Sequence, residues 1–206
     1  MKPAELLCAR LKDVHIDIDR LRAHFHSVVE PTAAVPYKDN RVDYIGWAVT
    51  SRDGSTTDGV RRIDPKLGSG KRGMEKTAIC SGYLSDVMDR LEATQLKPYR
   101  ARMMKLESEG IEMPLHTDAT TETWRLHIPL ITNENSFFEW ERENGEIASV
   151  HLPADGSAWL VRVDVKHRAV NRSSQASERV HLLMGLAVNP NIDALSGPWT
   201  LCTTTE

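Results

Sequence analysis

Between Leu11 and Ile18 the apolar residues Val14, Ile16 and Ile18 alternate with His15 and Asp17, the two-residue period of a strand with one buried face. The period then lengthens. Behind Asp19, a residue able to cap a helix, Leu21, Phe25, Val28 and Val29 share one face and predict a helix running to about Val29. Val42 to Val49, with Tyr44, Ile45 and Trp47, predicts a strand, and a second helix is expected behind Ser81, where Leu84, Val87, Met88 and Leu91 recur at helical spacing. Between these two elements, Ser51 to Lys76 contains Gly54, Gly59, Gly68, Gly70 and Gly73 and holds no sustained period. A loop longer than roughly 15 residues inside a compact domain is usually a lid, a binding loop or a disordered segment.

Beyond Pro98 the pattern changes to short β-rich runs: Tyr99 to Leu106, Trp124 to Ile131, Ser136 to Trp140, Ala148 to Leu152, Ala158 to Val165 and Arg179 to Val188. Several short strands separated by polar or glycine-containing turns predict a barrel or jelly roll. The expected architecture is α+β, with helices buttressing one face of a C-terminal β-sandwich. No internal repeat and no low-complexity tract interrupts it.

The chain has 206 residues, a formal net charge of -3 and a pI near 6.2, so no global basic field points to nucleic acid or an anionic membrane as a partner. Its longest late apolar run, Leu182 to Val188, falls far short of the ~20 residues a spanning helix needs, and the N-terminal stretch is broken by Arg10, Lys12 and Asp13. Cys8, Cys80 and Cys202 are an odd set without a C-x-x-C pair and cannot close into a complete disulfide framework. A soluble, cytoplasmic protein is the expectation.

The candidate chemistry lies in His116-Thr117-Asp118. In extended backbone the two outer side chains point to the same face, which suits chelation. His167, after the Ala158–Val165 run, offers a third donor, and two imidazoles with one carboxylate form a facial set that leaves adjacent positions on iron(II) open. Arg179 alternates with Val180 and Leu182 in an otherwise apolar strand. A buried guanidinium must be compensated, and the distal carboxylate of a ligand would do so. Trp124-Arg125-Leu126-His127 alternates in the same way, turning Arg125 and His127 to one face. His181 is inward on the same pattern as Arg179, although a hydrogen-bonded structural role suits it equally well. Gly-Ser-Gly-Lys at 68–71 lacks the spacing and preceding strand of a phosphate loop.

The run from Tyr99-Arg100-Ala101-Arg102 through His116-Thr117-Asp118, Trp124-Arg125-Leu126-His127 and His167 to Arg179 resembles the aspartyl/asparaginyl β-hydroxylase family, and the free-standing cis-proline hydroxylases are similar. The resemblance covers roughly residues 98 to 190. It implies a double-stranded β-helix core of jelly-roll, cupin-like form with the N-terminal helices packed on one face. It also implies iron(II), 2-oxoglutarate and O2 as cofactor and cosubstrates, with iron on His116 and His167. By the same resemblance Arg179 holds the 2-oxoglutarate C5 carboxylate, while Arg125 and His127 line the cosubstrate pocket. Animal aspartyl β-hydroxylases have glycine where Asp118 stands, whereas the proline hydroxylases keep the carboxylate. Halogenating relatives in the wider superfamily also lose it, so Asp118 implies hydroxylation.

The activity implied is hydroxylation of an aliphatic carbon of an amino acid, free, peptidyl or carrier-bound, coupled to conversion of 2-oxoglutarate to succinate. One oxygenase domain over residues 1–206 is expected, with strand and helix support over 1–97, a lid over 51–76, a core over 98–190 and a tail over 191–206. The 51–76 segment carries an excess of positive charge, and Arg61 and Arg62 are its candidates for holding an anionic substrate group. Two other readings stay open on the residues alone: a cupin-like hydrolase or isomerase that does not use 2-oxoglutarate, and a non-catalytic metal-binding module.

Overall fold

Fourteen strands and two α-helices form among the residues that the computed structural model describes, namely 6–12, 14–38, 43–61, 74–94, 96–107, 110–118, 123–174, 177–188, 190 and 199–201. In chain order they are β1 (Cys8–Leu11), α1 (Ile18–His24), β2 (Val35–Pro36), β3 (Tyr44–Ala48), β4 (Thr50–Ser51), β5 (Glu75–Lys76), α2 (Gly82–Ala93) and β6 (Pro98–Leu106). There follow β7 (Ile111–Glu112), β8 (Trp124–Ile131), β9 (Ser136–Glu141), β10 (Ile147–Val150), β11 (Trp159–Arg162), β12 (His167–Asn171), β13 (Arg179–Leu186) and β14 (Trp199–Leu201).

The first strand lies earlier than the alternation suggests. Asp17 accepts a hydrogen bond from the backbone N–H of Arg20 at 3.1 Å and thereby caps α1, so residues 14–17 cannot continue a ladder. Ile16 is buried instead against the 153–157 turn, its N–H donating to the Gly156 carbonyl at 3.2 Å. The helix therefore begins two residues before Asp19 allows. It ends in a π-helical turn, Phe25–Val29, in which Glu30 N–H reaches back to the Phe25 carbonyl at 2.8 Å. The second helix forms where expected, although Ser81 makes no side-chain cap bond.

Two antiparallel sheets face each other. The larger runs β14-β1-β11-β8-β13-β6-β3-β2 and the smaller β10-β9-β12-β7, while β4 and β5 form a separate ribbon. This is the expected jelly roll with helices on one face. Alternation along β13 and β8 separates the two sides of the larger sheet: Val180, Leu182 and Met184, with Leu126, Ile128 and Leu130, pack beneath Leu21, Phe25, Leu84 and Leu91 of the helical layer. Arg179, His181, Arg125 and His127 consequently point into the space between the sheets. At one end of that space Trp159 and Val161 meet Phe138 and Trp140; at the other, Met104, Leu106 and Leu183 meet Met113 and Ala169. Trp47, Trp124, Trp140 and Trp159 are all buried, as core aromatics should be.

Cys8 is disulfide-bonded and Cys80 is a free, buried thiol, so the odd set of cysteines closes only in part. No helix among the described residues is long and apolar enough to cross a membrane. Of the 51–76 segment, residues 62–73, and with them Arg62, lie outside the described residues.

Gly156 has φ +86°, and a Cβ placed there would run into the backbone carbonyl of Ile16. Gly156→Ala should therefore destabilise the protein by roughly 2–4 kcal/mol in urea unfolding, from backbone strain and overpacking together. A change below about 0.5 kcal/mol, the scale of an ordinary surface substitution, would contradict the packing described.

Candidate metal centre

His116 and His167 are brought together by their own backbones. An antiparallel bridge joins them, with His116 N–H to His167 carbonyl at 3.0 Å and His167 N–H to His116 carbonyl at 2.8 Å. Their rings lie 4.5 Å apart. Each ring is also oriented by a carbonyl two residues back, since His116 Nδ1 is 2.8 Å from the Pro114 oxygen and His167 Nδ1 is 2.9 Å from the Val165 oxygen. A carbonyl only accepts, so both Nδ1 atoms carry the proton and both Nε2 atoms present a lone pair. That is the tautomer a metal ligand needs. Phe138 stacks on the His167 ring at 5.4 Å and 11° and fixes its plane.

Asp118 completes the group. Its N–H donates to the Val163 carbonyl at 3.1 Å, which turns the carboxylate toward the two rings. Ligand atoms of His116, Asp118 and His167 all lie within 4.8 Å of one another. Arg125 Nη2 stands 2.7 Å from Asp118 Oδ2, off the direction of a hydrogen bond, so the contact is an ion pair with spare acceptor capacity on that oxygen. Burial alone would raise the Asp118 pKa, but its cationic surroundings, Arg125 foremost, outweigh it and keep the carboxylate ionised. Burial pushes His167 down to about 4, against the Val165 carbonyl and Asp118, and holds it neutral. Two imidazoles presenting Nε2 and one carboxylate fit a divalent ion such as iron(II).

The three residues line a cavity that opens to solvent. Arg179, 2% exposed, stands on its wall with no acidic partner among the described residues, and burial pushes its pKa down to about 10. Its Nη2 lies 3.1 Å from His181 Nδ1, and His127 Nδ1 lies 3.4 Å from that same atom. Since a guanidinium only donates, His181 Nδ1 is the acceptor and His181 carries its proton on Nε2. Burial, reinforced by Arg179, holds both His127 and His181 well below their usual pKa, as neutral groups. Their Nε2 atoms are buried without partners.

His116, Asp118, His167, Arg125, His127 and Arg179 thus share one cavity. Arg61 is exposed and is not among the residues lining it; its backbone carbonyl accepts from Arg100 Nη2 at 2.6 Å. Three polar residues of the wall carry no role in the sequence reading: Arg102, Tyr37 and Tyr44. A partial signal for Arg102 was present, as an arginine within the apolar run Ala101 to Leu106.

The family profile described as aspartyl/asparaginyl beta-hydroxylase matches residues 69–188, more than half of the chain, and the match spans the whole donor set. The chain belongs to that family. Membership makes it an oxidoreductase that uses iron(II), 2-oxoglutarate and O2. Among solved structures, a Pseudomonas putida prolyl-4-hydroxylase is similar at TM-score 0.52 and 13% identity, over 91% of this chain and 95% of that one. An oxidoreductase of the 2OG-Fe(II) oxygenase family from Burkholderia pseudomallei aligns at TM-score 0.48 and 14% identity, over 82% and 77% of the two chains. At such identities the first likeness speaks for the fold alone, and the second carries no argument. No curated protein matches the sequence.

The buried neutral histidines set the response of the metal-free protein to acid. His127, His167 and His181 titrate below the ~6.5 of an unfolded chain, so below that pH the unfolded state binds more protons. Their contribution is full above pH ~6.5 and is lost as pH falls toward their folded values, by up to about 1.4 kcal/mol per pH unit for each group. His181→Phe should flatten the stability profile of the metal-free protein between about pH 6.5 and 5 by one such slope, measured by urea unfolding at several pH values. An unchanged slope would contradict a neutral, buried His181.

Proposed function

We propose that this protein hydroxylates an aliphatic carbon of an amino acid, free, peptidyl or carrier-bound, with His116, Asp118 and His167 holding the iron. The observation that carries the reading is the convergence of three donor atoms within 4.8 Å in the cavity that also holds the buried Arg179, which has no carboxylate partner among the described residues. Iron(II), 2-oxoglutarate and O2 together supply the oxidation, giving succinate, carbon dioxide and a new C–OH bond.

The chain's own residues supply the rest. The Pro114 and Val165 carbonyls keep the Nε2 lone pairs of the two imidazoles aimed at one point. Arg125 keeps Asp118 ionised and restrains its orientation. Arg179, rigid in β13, presents a planar fork for the distal carboxylate of the cosubstrate, and a dianion there relieves the cost of an isolated buried cation. His181 orients that fork from behind, and the sheet walls limit access of water. A hydrolase or isomerase would have no use for a buried guanidinium in this position.

Purified protein should form succinate only when both iron(II) and 2-oxoglutarate are present, and a chelator should stop it. Asp118→Ala should reduce succinate formation by at least 100-fold, the scale of losing a ligand in a metal-dependent step. Arg179→Gln should raise the KM for 2-oxoglutarate by roughly 10- to 100-fold, the worth of a charge-assisted pair. Asp118→Ala protein that released succinate as fast as the parent would overturn the assignment.

A further inference from the structure

Arg102 is 4% exposed and its Nε is buried with no hydrogen-bond partner. Among the described residues its one hydrogen bond is a long one, Nη1 to the Gly59 carbonyl at 3.3 Å. No carboxylate lies within ion-pairing distance of it among the described residues. The neighbouring Arg100 already holds that carbonyl through Nε at 2.7 Å, in a strained conformation with φ +50° beside a bulge opposite Leu183 and Gly185. The 50–61 turn is therefore fastened by Arg100, and Arg102 is left over. Burial and the nearby Arg125 push the Arg102 pKa down to about 10, so it is a cation kept in place at a cost.

Register separates Arg102 from Arg179. On β6, Arg102 pairs with Leu183 of β13, which pairs in turn with His127 of β8; Arg179 pairs with Leu106. Leu106 and Arg102 are four residues apart along one strand, about 13 Å of backbone. The same cavity thus has two cationic anchors at different depths, with Tyr37 and Tyr44 on the wall as well. Charge leads to the same conclusion. Two positive charges on the ion and one on each of Arg102, Arg125 and Arg179 face one negative charge on Asp118 and two on 2-oxoglutarate, which leaves an excess of two. An anionic group on the substrate would reduce that excess.

We propose that Arg102 is a specificity-determining anchor that binds a carboxylate of the substrate, so that the compound oxidised is a free acid and not an ester, amide or carrier-bound thioester. The assignment deepens the reading of the site given above and rests on it. It also moves recognition of the anionic group away from the 51–76 segment and onto the sheet.

The test uses the iron(II)-loaded protein with 2-oxoglutarate and the common L-amino acids, each as free acid and as α-carboxamide, with succinate release as the readout. At least one free acid should stimulate succinate release and exceed its own carboxamide about tenfold or more in kcat/KM. In Arg102→Met that preference should shrink to within about twofold, and Arg102→Lys should recover part of it. If the α-carboxamide of aspartate or glutamate works as well as the free acid, the anchored carboxylate is that of the side chain. Carboxamides of neutral amino acids that match their acids, or an unchanged preference in Arg102→Met, would overturn the proposal while leaving the site reading intact. Absence of all succinate, even without an amino acid, would instead count against the site reading.

A second measurement decides the matter whatever the panel gives. Removing an unpaired buried charge should let metal-free Arg102→Met unfold about 2–4 °C above the parent. A fall of several degrees would make Arg102 a structural clamp and end the proposal.

Discussion

Two backbone hydrogen bonds between His116 and His167 hold the functional architecture together. They join the extended 113–118 segment to the start of β12 and so superimpose donors that stand about fifty positions apart in the chain. Because the bridge is made by main-chain groups, the placement of the rings does not depend on the ion. Carbonyls two residues back then choose the tautomers, and Val163 draws Asp118 to the same point. Preorganisation of this kind removes ordering cost from metal binding and leaves the remaining coordination positions free for small ligands.

The second constraint is electrostatic. The larger sheet packs its apolar side chains beneath the helices and turns Arg102, Arg125, Arg179, His127 and His181 inward, where Asp118 is the one carboxylate among the described lining residues. The histidines respond by staying neutral and the arginines cannot. The interior is therefore costly in the free protein, and anionic ligands would compensate it, a trade of stability for binding that is usual at active sites. By contrast, Glu139 on the smaller sheet is buried and fully paired by Arg168 and Arg172, which shows how the same fold treats a charge it does not need for binding.

Much of this was legible in the residues. Alternation located β8, β13 and the second helix nearly to the residue, and the His-x-Asp spacing placed both donors on one side because the backbone there is extended. The first strand was misplaced because Val14, Ile16 and Ile18 alternate for unrelated reasons, one buried against a turn and one opening a helix. The strand that begins at His167 was hidden, since Lys166, His167 and Arg168 carry no apolar alternation and β9 and β7 supply its partners. Arg102 went unassigned because β6 is buried on both faces and lost its period. Tyr37 and Tyr44 reach the cavity from a part of the chain with no recognisable motif, and only tertiary pairing of β3 with β6 puts them there.

The central claim is that one divalent ion sits where His116, Asp118 and His167 meet. Titrating metal-free protein with Mn(II) under anaerobic conditions, and following the loss of the free-ion electron paramagnetic resonance signal, tests it most directly. The account predicts one tightly held ion per chain, and none in His167→Ala. Binding of the same stoichiometry and strength in His167→Ala protein would contradict it.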